Sequence, residues 1–396
     1  MPVTRVLEEI SAFTECRAAW EGLLEESPSN TVFLSHPYLA AWWEHFGGGS
    51  RFFAILVEED GRLQAAAPLC IRTGRFLGAS LRVLEIIGTG PVPTRPMGLS
   101  DRVDLPVRLG EERSLKDVFA AILGRRSEWD LVHLKGICLA ESALSGVLRE
   151  VLPSGGVSAH ASHRYRSPYL SLEGSFEAYT RNRSRNFRKG LARHQKKLSS
   201  FGTWEVEHGE NLTPEDILEA VHAVSLRSWK GSRGSGLFLN ASIRRFFADL
   251  FGRFQERDWL LVRFLRSGGS RIAHEICFRY GGKLYSYDSA FDSRYASASP
   301  GEILTASILE EAFGAGLVEY DMLRGDEPYK TRWSDTMREE HEVAVTPSTL
   351  RAALYRLARI RLKAWVRGNR VLNNLDDRAS ALYHRLFTNR TDRTDC

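Results

Sequence analysis

The 396-residue chain is short of cysteine and without any long apolar run, and each shortage removes a class of protein. No apolar stretch reaches the roughly 18 to 20 residues that a membrane-spanning helix requires. Met1-Pro2-Val3-Thr4-Arg5 lacks the basic region and apolar core of a secretory signal. A cytoplasmic protein is expected. Cys16, Cys70, Cys138, Cys277 and Cys396 are odd in number, widely scattered and never paired at ligand spacing. That pattern argues against a disulfide framework and against a zinc site, so no metal is expected. A net charge of +5 is small for this length, which directs attention to local clusters of charge. What the chain does have is apolar material: with 43% hydrophobic and 26% charged residues it can bury a large core, enough for two domains and an appendage.

Hydrophobic periodicity is helical from Phe13 to Phe46; the apolar run Phe52-Phe53-Ala54-Ile55-Leu56-Val57 then reads as a strand, turns at Asp60-Gly61 and returns as a second strand to Ile71. The same order recurs later: a helix over Ile243 to Phe254, a strand from Trp259 to Phe264, a Gly268-Gly269 turn and a strand from Arg271 to Tyr280. Placing Leu69-Cys70-Ile71 on Ile276-Cys277-Phe278 sets Ala66-Ala67-Pro68 opposite Ala273-His274-Glu275. The second copy therefore carries two ionisable residues where the first has none, and is expected to be the chemical one. Turn formers from Pro153-Ser154-Gly155-Gly156 to Pro168 mark a boundary. The expected division is a lobe over 1–165, a second over 166–346 and a basic tail over 347–396.

In the second lobe a strand from Lys283 to Ser289 leads through a loop into a helical pattern carried by Ile303, Leu304, Ile308, Leu309 and Phe313. Ser299-Pro300-Gly301-Glu302 has the form of a capping box, and the amides of such a helix start can hold a phosphate oxygen. A capped helix needs no ligand to explain it, and Glu302 would compete with an incoming anion.

Phe291-Asp292, Tyr295 and Ser299-Pro300-Gly301, followed by Asp321, Gly325, Tyr329-Lys330 and Trp333, resemble the BioF2-like or CelD-like acetyltransferase family, a branch of the GNAT and FemAB fold group. Ala273-His274, Trp229-Lys230-Gly231 and the segment from Phe33 to Trp42 extend the resemblance, which spans Phe33 to Trp333. It implies an α/β (α+β) fold of tandem GNAT-like lobes, each a mixed, largely antiparallel sheet flanked by helices. It also implies an N-acyltransferase whose acyl-CoA donor enters between splayed strands. Arg294, Tyr295, Ser297, Ser299, Pro300 and Gly301 would hold the donor. Trp229, Lys230, Glu275, Phe291, Asp292 and Trp333 would line the acceptor. The usual GNAT pyrophosphate loop is richer in glycine and begins with Gln or Arg; only Arg294 and Gly301 match it in part. That departure leaves aminoacyl-tRNA, the donor of FemAB-type enzymes, as an alternative to acyl-CoA.

Acyl transfer to an amine needs a base for the ammonium proton, donors for developing negative charge and an acid for the thiolate. His274 is the expected base, with Glu275 on the opposite face of the same strand. Asp288 and Asp321 stand at strand ends in apolar surroundings, where either would orient His274, hold the acceptor's ammonium or simply cap a turn. Tyr329 and Lys330 follow the turn-rich Gly325-Asp326-Glu327-Pro328 and would reach over the cleft, Tyr329 as acid and Lys330 toward an anion.

Two basic segments remain. Arg181 to Lys197 holds eight Lys or Arg and no acid, the pattern of a phosphate-binding, tRNA-binding or glycolipid-binding helix and equally of a solvated one. In the tail, Leu350, Ala353, Leu354, Leu357, Ile360, Ala364 and Trp365 share one helical arc, with Arg356, Arg359, Lys363, Arg367 and Arg370 opposite. Such a helix would lie on an anionic membrane surface or pack on the lobes, and membrane contact would make the protein peripheral on the inner face. The reading is an N-acyltransferase using acyl-CoA and an amine-bearing small molecule, glycolipid or lipid acceptor. An amino sugar or long-chain amino alcohol of envelope polysaccharide or lipid assembly fits. The alternatives are FemAB-type transfer to a peptidoglycan precursor and a non-catalytic membrane or partner adaptor.

Overall fold

The computed structural model describes residues 2–76, 79–151 and 156–347. The proposed membrane helix over 350–370, Cys396 and most of the Pro153-Ser154-Gly155-Gly156 turn lie outside the described residues. The chain divides into two units: residues up to Arg164 together with those from Glu339 onward, and Tyr165–Arg338.

Unit 1 opens with β1 (Val3–Leu7), α1 (Ile10–Glu15), α2 (Arg17–Glu25) and α3 (His36–Phe46), followed by the hairpin β2 (Ser50–Glu59) and β3 (Arg62–Phe76). It continues through β4 (Ala79–Ile86), α4 (Leu115–Gly124), β5 (Leu131–Ile137) and α5 (Leu144–Val151). The chain then enters unit 2 along β6 (Val157–Ser171), with α6 (Phe176–Asn182), α7 (Arg185–Ser199), β7 (Trp204–His208), α8 (Pro214–Arg227), α9 (Trp229–Ser232) and α10 (Ala241–Gln255). The hairpin β8 (Leu260–Ser267) and β9 (Ser270–Tyr280) follows, then β10 (Lys283–Phe291), α11 (Pro300–Gly314), β11 (Glu319–Asp321) and α12 (Pro328–Thr331). The last strand is β12 (Met337–Pro347).

The two sheets have the same wiring. Unit 1 runs β1-β2-β3-β4-β5-β12 and unit 2 runs β7-β8-β9-β10-β11-β6. In each, one parallel pair, β4 with β5 or β10 with β11, sits among antiparallel neighbours. The sixth strand is traded: β6 follows β5 in the chain yet pairs with β11, whereas β12 follows β11 and pairs with β5. The internal repeat seen in the sequence is thus a repeat of tertiary structure, and the fold is a tandem of mixed, largely antiparallel sheets flanked by helices.

Helix α10 shows how local sequence secures these elements. Asn240 caps it, accepting from the amides of Ser242 and Ile243 at 2.9 and 3.2 Å. Ile243, Phe246, Phe247, Leu250, Phe251 and Phe254 recur at helical spacing and are all buried. Phe254 meets Phe278 of β9, and Phe247 meets Tyr287 of β10, so α10 covers one face of the unit 2 sheet. On the other face, Ala273 and Cys277 of β9 pack in a core with Leu304, Ile308 and Leu309 of α11. Each large apolar side chain so buried contributes roughly 1.5–3 kcal/mol.

Helix α11 starts differently from the expected capping box. Ser299 adopts a left-handed conformation (φ 46°) and its side chain caps nothing. Glu302 does not return to the Ser299 amide; it is drawn off by Arg332 at 3.0 Å and His194 at 3.2 Å. The Arg332 guanidinium therefore overrides the local capping signal. Among the described residues no helix is long and apolar enough to cross a membrane.

Candidate functional site

Strand β10 runs antiparallel to β9 with one register shift, between Ser286 and Asp288, so Tyr287 is the extra residue of a bulge. Strict alternation would put Ser286 and Asp288 on the same face. Instead Ser286 hydrogen-bonds Glu275, which faces α11, while Asp288 meets His274, on the side where Tyr287 packs against Phe278. The bulge turns Asp288 over. Asp288 stands opposite Ile276, two residues from His274, and the His274 Nε2 to Asp288 Oδ2 distance is 3.0 Å.

Lys230 joins from α9. Its ammonium donates to the Ser289 carbonyl at 2.8 Å and lies 3.5 Å from Asp288 Oδ1. Glycine at 231 makes this possible, because a Cβ there would sit 2.3 Å from the Ser225 carbonyl oxygen. Ser228 caps the short helix by accepting from the Gly231 amide. The result is a chain Lys230, Asp288, His274 running inward from half-buried to fully buried. The His274 side chain is 0% exposed and that of Asp288 is 10% exposed. With Asp288 ionised, His274 donates Nε2–H to it, and Nδ1, which has no hydrogen-bond partner, carries the lone pair. His274 was expected to face the cleft directly; the structure places Asp288 between it and the open side.

Glu275 is a separate centre. It is 2% exposed and accepts from Ser286 Oγ and Thr305 Oγ1, each at 2.8 Å, and from Tyr320 Oη. Burial and then Glu275 itself push the Tyr320 hydroxyl and the Cys277 thiol well above their ordinary values. Glu275 ties β9, β10, β11 and α11 together and is saturated by these donors, so it joins the buried frame instead of contacting an acceptor.

Between β10 and β11 pairing covers only Lys283 to Tyr285 against Glu319 to Asp321, after which the strands part. The segment beyond β11 carries several expected site residues. Asp321 is fully buried, accepts from the Leu323 amide at 2.8 Å and lies 3.6 Å from Arg338; it fixes that turn and does not reach His274. Tyr329 is 53% exposed and has the Ser289 side chain as a hydrogen-bond partner. Desolvation and then Glu327 raise its pKa, although solvent at this exposure screens much of the effect. Lys330 turns inward to the Arg324 carbonyl and to Glu327 at 3.2 Å, so it clamps the loop instead of reaching for an anion. Trp333, expected beside the acceptor, is 2% exposed, packed edge-on against Phe187 at 5.1 Å.

Beyond β10, Asp292 is buried, accepts from Arg227 at 2.8 Å and caps the turn leading to Ser299. Burial raises its pKa, but bonds from Arg294 and Arg227 outweigh burial and leave it lowered. Arg294, expected to hold the donor, lies over Asp292 at 2.7 Å. Tyr295 packs against Phe201 at 5.0 Å, Ser297 is exposed, and Phe291 with Pro300 and Gly301 forms the wall at the start of α11. Trp229 is exposed with Arg233 over its ring. Ser289, Ser286, Thr305 and Tyr320 were missed in sequence, since none carries a signal until the bulge and the strand partners are known. Among the described residues no group of three or more His, Cys, Asp or Glu converges as a metal would require.

Unit 1 lacks this site at the equivalent positions. Its β3 and β4 pair without a register shift, and the matching bulges of the two hairpins put Ala66 in the place of His274 and Ile87, whose amide meets the Pro68 carbonyl, in the place of Asp288. Where unit 2 has Tyr285, unit 1 has Glu85, buried with Arg72 at 2.8 Å and Lys135 at 3.1 Å. Lys135 comes from β5, so an ion pair bridges β4 and β5.

Residues 185–331 match the family model described as an acetyltransferase (GNAT) domain. No curated protein matches the chain in sequence. Among solved structures, the crystal structure of FemX aligns with a TM-score of 0.60 at 11% identity, covering 89% of this chain and 99% of that one. A conserved protein of unknown function from Bacteroides thetaiotaomicron aligns with a TM-score of 0.54 at 13% identity, covering 87% and 100%. At such identities these two share the fold. The matched segment runs from α7 to α12 through the bulged strand, so residues 185–331 are the part of the chain similar to a GNAT-type acetyltransferase domain, and the protein is an N-acyltransferase.

Proposed function

We propose that unit 2 acylates a primary amine from an acyl-CoA donor, with the Asp288–His274 pair as base. The observation that carries this reading is the buried Lys230–Asp288–His274 chain, built by a bulge on the strand that parts from β11. The donor supplies an acyl carbon activated as a thioester. The start of α11 and the edge of β10 beyond Tyr285 fit such a donor, because pairing stops there and β10 runs on to Phe291. Asp288, the more exposed member of the pair, meets the amine, and His274 behind it holds the carboxylate in one orientation and shares the incoming proton. Lys230 sets its ammonium 3.5 Å from Asp288 Oδ1. Tyr329, beside Ser289, serves as the acid for the departing thiolate. The acceptor class is an amino sugar or long-chain amino alcohol.

The test is thiol release from acetyl-CoA and palmitoyl-CoA against glucosamine and a long-chain amino alcohol, with the acylated amine identified by mass spectrometry. His274→Ala should abolish turnover at saturating donor while the fold persists; full turnover in that variant removes the pair as base. Aminoacyl transfer from charged tRNA, with no reaction of acyl-CoA, would overturn the donor.

A further inference from the structure

Several cations of α7 are not used by the site above, and they line a cleft of about 700 Å³ in unit 2. Its walls include Arg183, Phe187, Lys189, Gly190 and Arg193, with Arg332 opposite. Two of the guanidinium groups are held in place. Arg183 pairs with Asp335 at 3.0 Å and donates to the Arg332 carbonyl at 2.7 Å, while Arg332 pairs with Glu302 at 3.0 Å. Both lie over the Phe187 ring, at 5.7 and 5.6 Å from its centroid. Glycine at 190 leaves room for Arg332, since a Cβ there would come within 2.5 Å of its Nη2. Lys189 and Arg193 stand one helical turn apart on the exposed side of α7. The two acids at the rim, Asp335 and Glu302, pair with Arg183 and Arg332, so Lys189 and Arg193 leave the cleft with an excess of two positive charges.

This cleft is tied to the reacting strand. Arg332 follows the four-residue α12, whose Tyr329 reaches Ser289 on β10, and Glu302, its carboxylate partner, lies in the first turn of α11. A volume of about 700 Å³ is that of a small-molecule site and not of a track for a nucleic-acid duplex. We infer that the cleft binds the phosphates at the nucleotide end of the acyl-CoA donor, with Lys189 and Arg193 closing on them from α7 and the fixed guanidinium groups of Arg183 and Arg332 forming its floor. This deepens the proposed function and rests on its choice of donor.

The experiment is calorimetric titration of acetyl-CoA and of S-acetylpantetheine, which lacks the nucleotide, into the full chain and its Lys189→Glu/Arg193→Glu variant. Both side chains are exposed, so equal melting temperatures are expected. Affinity for acetyl-CoA should fall about 100-fold in the double variant and about tenfold in Arg193→Ala, as expected for two lost charge-assisted contacts and for one. Binding of S-acetylpantetheine should be equal in all three. Unchanged affinity for acetyl-CoA in the double variant overturns the cleft assignment and leaves the donor standing. If the unaltered chain binds neither compound, both fall. If the double variant loses salt-resistant binding of tRNA while keeping acetyl-CoA, the cleft belongs to nucleic acid and the inference is wrong.

Discussion

Replacing Asp288 by asparagine separates chemistry from architecture. The amide is nearly isosteric, and its oxygen can still accept Nε2–H of His274, which lies 3.0 Å away. Lys230 keeps the Ser289 carbonyl at 2.8 Å and loses only a 3.5 Å contact to the carboxylate. With the lysine side chain 29% exposed, that contact is worth at most about 1 kcal/mol, so the variant should melt within a few degrees of the unaltered protein. What the amide cannot do is accept a proton. A positioned base contributes about 10²–10⁴-fold, so kcat should fall by that factor, about 3–5 kcal/mol of barrier, with the donor's KM little changed. Thiol release from acyl-CoA under saturating amine measures the effect. A kcat within threefold of the unaltered enzyme, in a variant of unchanged melting temperature, would refute the assignment of the pair as base.

Glu275→Ala should cost about 3 kcal/mol or more in denaturant unfolding, because it strands the hydroxyls of Ser286, Thr305 and Tyr320, while Glu275→Gln should cost clearly less. In unit 1, Glu85 is buried, which alone would raise its pKa, but Arg72 and Lys135 hold it at about 2 against an ordinary 4.5. A folded value below the unfolded one means that its contribution, about 3 kcal/mol, is present above pH 4.5 and is lost as pH falls toward 2. Burial lowers Lys135 and offsets part of that gain. The melting temperature of Glu85→Gln should therefore trail the unaltered protein at pH 7 and converge with it on acidification; a gap constant with pH would show that Glu85 is not ionised. Residues 1–164 expressed alone should be insoluble or unfolded for want of β12, and fusing residues 339–347 to them should restore a cooperative unfolding transition.

Much of this architecture was legible. The helix–hairpin order recurs because apolar positions at helical and alternating spacing specify elements directly, but the offset read from the sequence was one residue out: the matching hairpin bulges set His274 over Ala66 and not Ala67. The traded sixth strand was not legible, since partner choice among β5, β6, β11 and β12 depends on contacts far apart in sequence. Nor was the orientation of Asp288. Simple alternation from Ser286 puts it beside Glu275, and only the bulge at Tyr287 carries it to His274. The inward turn of Lys330 and the burial of Trp333 were not legible for a shared reason: nothing in a local window distinguishes a side chain that folds onto its own unit from one that points to a ligand. The capping box failed because Arg332, distant in sequence, outcompetes a neighbouring amide for Glu302.

The traded strand also has a consequence in time. During synthesis β5 leaves the ribosome with one edge unpaired, and its partner is encoded on the far side of unit 2. At roughly 5–20 residues per second, the roughly 180 residues separating Arg164 from the end of β12 amount to about 10–40 s of waiting. Throughout that interval a strand reading Leu-Val-His-Leu-Lys-Gly-Ile, buried along its whole length in the finished protein, presents free amides and carbonyls to any other nascent chain. The protein's yield in a cell should thus depend on how quickly its second half is translated, and rare codons within residues 165–338 should harm the first half most.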